Sequence, residues 1–341
     1  MNRPNFNCMA TMIGSVPYAD ADTGCARIEN FLQNIPAWPQ LPMRSHLENM
    51  YIQYSEGFPG VAVDGQKITV VPGFNFDQLL EQIFTDAHEG NSDNYGISRD
   101  YAAGLYCAAS HGWDHSFVKG QITGPVSWGL CVTDGSGRGI IYDDTLADAV
   151  VKFLQLKAAW MEKFLQKAAR QTVIFVDEPY LASLGSAFVS LSNEQVSSSI
   201  AEVLSGIKGL KGVHCCGGTD WSLLLKLPID ILSFDAYNYL DSLLCCRSET
   251  VSFIKGGGSI AWGIVPNDAD TLVKETLSSL YDRFNTAIAQ FAVEGLTVEE
   301  IAAHSLITPS CGLASLTPGK ADEALFLLKV LSKKVRDRFG L

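Results

Sequence analysis

Apolar positions along the chain fall into two alternating kinds of stretch. One kind is a short, nearly unbroken apolar run, seen at 9–16, 116–123, 171–177, 212–216, 229–235, 259–265 and 305–308. Runs of that length read as strands covered on both faces, the habit of parallel sheets. The other kind repeats apolar residues every three or four positions. Its clearest example starts at a cap from Asp143 or Asp144 and ends near Arg170, with Leu146, Val150, Phe153, Leu154, Lys157 and Met161 on one face. Helical spacing also covers 44–54, 76–88, 98–110, 192–206 and 269–294, and further helices start near Asp220 and Lys320.

Residues 60–64 and 67–71 flank Gly65-Gln66 and predict a β-hairpin. Pro17 ends the first strand, and Pro36, Pro39 and Pro42 mark the loop after it. Glycines between 124 and 139 mark another loop. Gly256-Gly257-Gly258 lacks the lysine and threonine of a phosphate-binding loop and reads as a turn. Strand and helix alternate to the end with no low-complexity linker. The pattern predicts one domain over 1–341, a (β/α)8 TIM barrel of the α/β class with an N-terminal hairpin insertion.

Composition narrows the function classes. The 341 residues are 47% hydrophobic and 18% charged, ordinary for a globular enzyme. A formal net charge of -12 with no basic run argues against nucleic acid and against an anionic membrane surface as partners. No apolar run reaches membrane-spanning length, and residues 1–8 lack the apolar core of a signal peptide. Nine cysteines include the adjacent pairs Cys215-Cys216 and Cys245-Cys246, which are poor disulfide partners. That usage fits a reducing compartment, so a cytoplasmic location is expected.

The chemistry concentrates in Lys211-Gly-Val-His-Cys-Cys-Gly-Gly-Thr-Asp-Trp221. Side chains alternate along a strand, so His214 and Cys216 share one face and Cys215 takes the other. Imidazole and thiolate are both good zinc ligands. A further ligand must come from elsewhere, and Cys311 in Thr308-Pro-Ser-Cys-Gly-Leu313 is the best candidate. Asp235, in Leu232-Ser-Phe-Asp-Ala-Tyr237, could add a carboxylate. A His-x-Cys alone equally fits a packed core, since free cysteine behaves as a small buried hydrophobe. In the predicted barrel, Ser15, Gln121, Asp177, His214, Cys216, Asp235 and Cys311 all fall at strand ends, where barrel chemistry sits. His111-Gly-Trp-Asp-His115 could suggest a metal pair but reads as a surface loop. Trp128, Trp221, Tyr237 and Trp262 fit a pocket lining or the core equally well.

Taken in order, Ile13-Gly-Ser-Val-Pro17, Asp177-Glu-Pro179, His214-x-Cys216, Ser233-Phe-Asp235 and Pro309-Ser-Cys-Gly-Leu313 resemble the catalytic C-terminal barrel of cobalamin-independent methionine synthase. They also resemble the wider superfamily that includes uroporphyrinogen decarboxylase and corrinoid-linked thiol methyltransferases. The resemblance implies zinc held by His214, Cys216 and Cys311, with Asp235 at an acidic position where the family usually carries the longer glutamate. It also implies that Gly14, Ser15 and Asp177 hold an amino-acid thiol, with Glu48 matched to a glutamate on an early helix. The implied activity is zinc-dependent methylation of a thiol, homocysteine, giving methionine. Such zinc turns the thiol into the attacking thiolate and needs no redox role.

Two departures bear on the methyl donor. Methyl-folate-dependent synthases carry a second, N-terminal barrel that this sequence lacks. They also carry a histidine in the loop after the seventh strand, read as the proton donor to the folate nitrogen. Here that loop is Trp262-Gly-Ile-Val-Pro-Asn267. An amine leaving group needs a proton, whereas a cobalt leaving group does not. The expected donor is therefore a methyl-corrinoid on a partner protein. The alternatives are a uroporphyrinogen decarboxylase-like enzyme, drawing on Arg44, Arg99, Arg138 or Arg247 for substrate carboxylates, and a non-catalytic corrinoid-protein partner.

Overall fold

The computed structural model describes residues 3–111, 115–186 and 189–341. Among these residues lie strands β1 (Met9–Ala10), β2 (Val61–Asp64), β3 (Lys67–Val70), β4 (His115–Thr123), β5 (Ala169–Asp177), β6 (Leu210–Cys215), β7 (Ile231–Phe234), β8 (Ser259–Val265) and β9 (Ser305–Pro309). Seven of them form one parallel sheet in the order β1-β9-β8-β7-β6-β5-β4. Neighbours in the sheet are mostly neighbours in sequence, because each strand is followed by helical structure that returns the chain for the next. The sheet curls, with helices packed outside it.

The expected eight-stranded barrel is realised only in part. β1 is two residues long, and the ladder stops there. Between the two edges of the sheet runs 36–40, the stretch that the prolines mark as a loop. It makes single parallel bridges, Ser15 with Gln40 on one side and Ala37 with Lys119 on the other. Lys119 N–H donates to the Pro36 carbonyl at 2.8 Å, and Gln40 N–H to the Gly14 carbonyl at 3.1 Å. Pro36 and Pro39 have no N–H, so no ladder can extend past these bridges. The expected hairpin is present as β2 and β3, with Gly65 at φ 59 in its two-residue turn.

Inward-facing positions follow a gradient. Phe117, Val173, Phe175, Ile231, Ala261 and Leu306 form an apolar plug with Phe6 and Ile35. Gly212 makes room for it, since a Cβ there would lie 2.3 Å from the Phe175 ring. Further along these strands most inward positions become polar yet stay buried: Lys119, Gln121, Asp177, His214, Ser233 and Thr308. The larger core fills the space between sheet and helices.

Helices obey their local signals where no tertiary partner intervenes. Asp143 caps Asp144–Leu165 by accepting from Leu146 N, and Ser192 closes a capping box over Asn193–Ser205. The span expected as one helix over 269–294 is Ala269–Leu272 and Leu277–Ala289, because Thr276 starts a capping box of its own. The glycine-rich stretch after β4 hides a helix, Pro125–Cys131. Its first N–H groups, on Val126 and Ser127, donate to the carboxylate of Glu178 beyond β5, a contact no local pattern reveals. His111 follows the Ala103–Ser110 helix and His115 opens β4, while 112–114 lie outside the described residues. Among the described residues no helix is long and apolar enough to cross a membrane.

Lys157, on the buried face of Asp144–Leu165, is fully buried. Its ammonium donates to the Gly96 carbonyl and sits 4.8 Å from the Phe153 ring centre. Burial pulls its pKa down to about 7. Between that value and the ordinary lysine range the unfolded chain binds the extra proton, so folding stability rises with pH across this window. Lys157→Met is expected to flatten that rise and to stabilise the fold at neutral pH by on the order of 1–2 kcal/mol. Thermal melts of both proteins from pH 6 to 10 check it; parallel pH curves would contradict it.

Candidate metal centre

Strand register assembles the site. β5 to β6 pairs Asp177 with His214, and β6 to β7 pairs His214 with Ser233, so the three stand abreast on the inner face. Cys216, two residues past His214, lies just beyond the end of β6. Cys311 follows β9, two strands beyond β7 in the sheet. The donor atoms of His214, Cys216 and Cys311 all lie within 4.8 Å of one another.

The imidazole is oriented from behind. His214 Nδ1 is 2.9 Å from the Ser233 hydroxyl, while Nε2 is buried with no hydrogen-bond partner. With Nδ1–H donating to Ser233, the Nε2 lone pair is free for a metal, the arrangement seen behind most histidine ligands. The Cys311 thiol donates to Cys216 and, with help from His214, brings Cys216 down to about 4. The same bond, with burial, drives Cys311 well above the ordinary thiol range.

Two loops fix Cys311. A Cβ on Gly312 would come 2.1 Å from the Ser15 hydroxyl, so glycine lets this turn close on the Ile13-Gly-Ser segment. Leu313 N–H donates to the Ser15 carbonyl at 2.8 Å. On the other side Ser310 donates to Asn267 Oδ1 at 2.9 Å, and Asn267 Nδ2 donates to the Gly312 carbonyl at 3.3 Å.

A cavity of about 220 Å³ opens beside the trio, lined also by Gly14, Ser15, Gln40, Met50 and Asp177. It is smaller than the roughly 300–1,000 Å³ of drug-sized pockets, so it suits a small molecule. Asp177 is buried with Oδ1 unpartnered, and burial pushes its carboxyl up to about 6 against the pull of Lys119 and His214. Lys119 lies on the inner face of the curled sheet, behind the cavity. Its ammonium donates to the Ile13 carbonyl at 2.5 Å and to Gln121 Oε1 at 3.3 Å, and sits 4.4 Å from the Phe175 ring centre. Burial lowers it to about 8. Gly14 is packed against this network, since a Cβ there would lie 2.7 Å from the Gln121 carboxamide.

No family model matches the sequence, and no curated protein matches it. Solved structures do. A B12-independent methionine synthase from Shewanella sp. W3-18-1, in complex with selenomethionine, superposes with a TM-score of 0.61 over 97% of this chain and 98% of that one, at 16% identity. A putative vitamin-B12-independent methionine synthase from Listeria monocytogenes gives 0.60 over 96% and 98%, at 14% identity. A methyltransferase from Methanosarcina mazei gives 0.55 over 99% and 96%, at 13% identity. The chain has the fold of B12-independent methionine synthases.

Within this methionine synthase-like fold, two expected site residues stand apart from the trio. Asp235 accepts from Asn238 N at 2.9 Å and from Asn238 Nδ2 at 2.7 Å, capping Ala236–Leu244. Burial raises its carboxyl, and the bonds from Asn238 oppose that. Glu48 is fully buried in the short 3-10 helix His46–Glu48. It accepts from Leu41 N at 2.9 Å and from Arg44 Nε at 2.5 Å. It therefore steadies the turn beside Gln40 and does not line the cavity.

Other expectations resolve toward structure. Trp128, Trp221 and Trp262 are core residues whose N–H groups donate to the Tyr51 carbonyl and to the Ser242 and Ser305 hydroxyls. Tyr237 donates to Glu275. Arg44 holds Glu48 and Arg247 the carbonyls of Gln290 and Ala292, while Arg99 and Arg138 lie over tyrosine rings. No arginine lines the cavity. Sequence reasoning passed over Lys119, Gln40 and Asn267. Lys119 left a usable signal, a lone cation inside an apolar strand and in phase with Gln121.

Proposed function

We propose that this protein is a zinc-dependent thiol methyltransferase whose acceptor is an amino-acid thiol, homocysteine, with methionine as product. The observation that carries the reading is the convergence of two sulfurs and one imidazole nitrogen within 4.8 Å beside a small cavity. Such a donor set suits zinc, and the orphaned His214 Nε2 fits a ligand there. Zinc bound by His214, Cys216 and Cys311 would supply a thiolate at neutral pH at its remaining coordination position. Ser233 holds the imidazole tautomer, and Ser15 and Asn267 hold the Cys311 turn. Asp177 offers its unpartnered oxygen to the substrate ammonium. The selenomethionine bound to the Shewanella neighbour supports an amino acid of this shape as ligand. Asp235 serves the site by fixing the end of β7, not as a direct ligand.

A methyl-corrinoid is the proposed donor. The loop after β8 places Asn267 against Ser310 and offers no histidine to protonate a leaving amine. A chain of net charge -12 also offers little to a polyanionic folate tail. The test is single-turnover methylation by the zinc-loaded protein, with methylcobalamin or methyltetrahydrofolate as donor. Methionine is expected from homocysteine and methylcobalamin. Turnover with the folate alone overturns the donor, and zinc binding without any methylation by either donor reduces the protein to a corrinoid-protein partner.

A further inference from the structure

A second cluster of metal-ligating side chains lies outside the rim. Asp22 and Cys25 sit three residues apart on the first helix, Ala21–Phe31, and so share a face. Cys107 lies on the Ala103–Ser110 helix and His111 four residues on, at its C-terminal end. The two helices pack together. Cys25, Cys107 and His111 bring their donor atoms within 4.8 Å of one another. Cys107 Sγ is 3.1 Å from Asp22 Oδ1 and 3.4 Å from His111 Nδ1. A tetrahedral zinc ion sets neighbouring sulfur and nitrogen donors ~3.5 Å apart and two sulfurs ~3.8 Å apart. Cys25, Cys107 and His111 thus already stand near the spacing of a coordination shell, with the Asp22 carboxylate against Cys107.

We propose that Asp22, Cys25, Cys107 and His111 form a structural zinc site that ties the first helix to the Ala103–Ser110 helix. Two sulfurs, one nitrogen and one oxygen complete four-coordination with protein groups alone, the pattern of structural sites and not of catalytic ones. Loading releases the two thiol protons to solvent. It also requires the His111 ring proton on Nε2, which frees the Nδ1 lone pair and gives up the Nδ1–H bond to the Cys107 carbonyl at 2.9 Å.

The placement gives the site a purpose. Both helices press on the proline-rich stretch between the sheet edges. A Cβ on Gly104 would lie 1.9 Å from the Pro39 carbonyl oxygen, and one on Gly24 would lie 3.3 Å from the side chains of Pro39 and Leu41. Pro39 precedes Gln40, which lines the cavity. That stretch is held to its neighbours by single bridges, so a clamp behind it braces the weakest part of the wall.

The experiment uses the full chain with the rim ligands removed, Cys216→Ser with Cys311→Ser, so that its outcome is independent of the proposed methyl transfer. Zinc content, and absorption after loading with Co2+, are measured on this background. About one zinc per chain is expected, with the charge-transfer absorption of a cobalt–thiolate bond. Adding His111→Ala, an exposed position whose loss leaves the core intact, is expected to weaken Co2+ binding by about 10-fold or more. Adding Cys25→Ser together with Cys107→Ser is expected to abolish the thiolate band. Zinc is further expected to raise the thermal midpoint of the background protein but not of the His111→Ala protein. A background protein with no zinc and no cobalt–thiolate absorption overturns the proposal. So does a mass spectrum showing Cys25 and Cys107 joined as a disulfide in protein purified without oxidant.

Discussion

Cys311→Ser is expected to remove one bound zinc ion per chain and to lower methyl transfer on the order of a thousandfold. Serine keeps the shape of the turn but not the sulfur donor, and two protein ligands do not hold a catalytic ion. The rate loss corresponds to ~4 kcal/mol of barrier. That is the scale of the charge stabilisation a metal brings to such a reaction. Cys215→Ser is the matched control. Cys215 lies on the same strand one residue from Cys216, but it faces the outer core and donates to the Gly217 carbonyl. It is expected to keep both metal and activity. Metal analysis of the two variants decides the matter; full zinc content in Cys311→Ser would remove the basis of the proposed reaction.

Asp177→Asn has the second large expected effect. The Asp177 carboxylate is buried, and one oxygen has no hydrogen-bond partner. A buried acceptor left in that state is unfavourable, and a substrate ammonium relieves it. Asparagine keeps the shape and loses the charge. A charge-assisted hydrogen bond contributes ~1.5–3 kcal/mol, so KM for homocysteine should rise about 10- to 100-fold while kcat changes less. A thiol of similar length without an amino group should react with both proteins alike. Equal losses for both thiols would show that Asp177 acts on the site's architecture and not on the ammonium. Lys119 faces Asp177 from the buried side, so a melt of Asp177→Asn separates lost stability from lost binding.

The site shows why some residues were legible in the sequence and others were not. His214 and Cys216 share a face because strands have a period of two, a rule that acts between neighbours. Asp235 and Glu48 have the chemistry of ligands, yet the nearest unpaired N–H groups claimed them first. Asn238 N is three residues from Asp235, and Leu41 N meets Glu48 in the adjoining turn. Asp235, at a helix start, is captured by a first-turn donor, and Glu48 by the Leu41 N–H and the Arg44 guanidinium upstream of it. The proline-rich stretch read as a loop because prolines break ladders, and it is indeed no strand, but two isolated bridges set it between the sheet edges.

The sequence by itself determined the parallel α/β pattern, the hairpin, the helix starts at Phe76, Asp144, Asn193, Trp221, Ala269 and Pro318, and the pairing of His214 with Cys216. These follow from periodicity and capping, which depend on residues a few positions apart. Only the tertiary structure decided that Cys311 stands beside Cys216, that Ser233 orients His214, and that Lys119 lies buried behind Asp177. It alone brought Cys25 to Cys107 and His111. These meetings join residues from separate strands and helices, and sheet register and helix packing set them, which no local window of sequence contains.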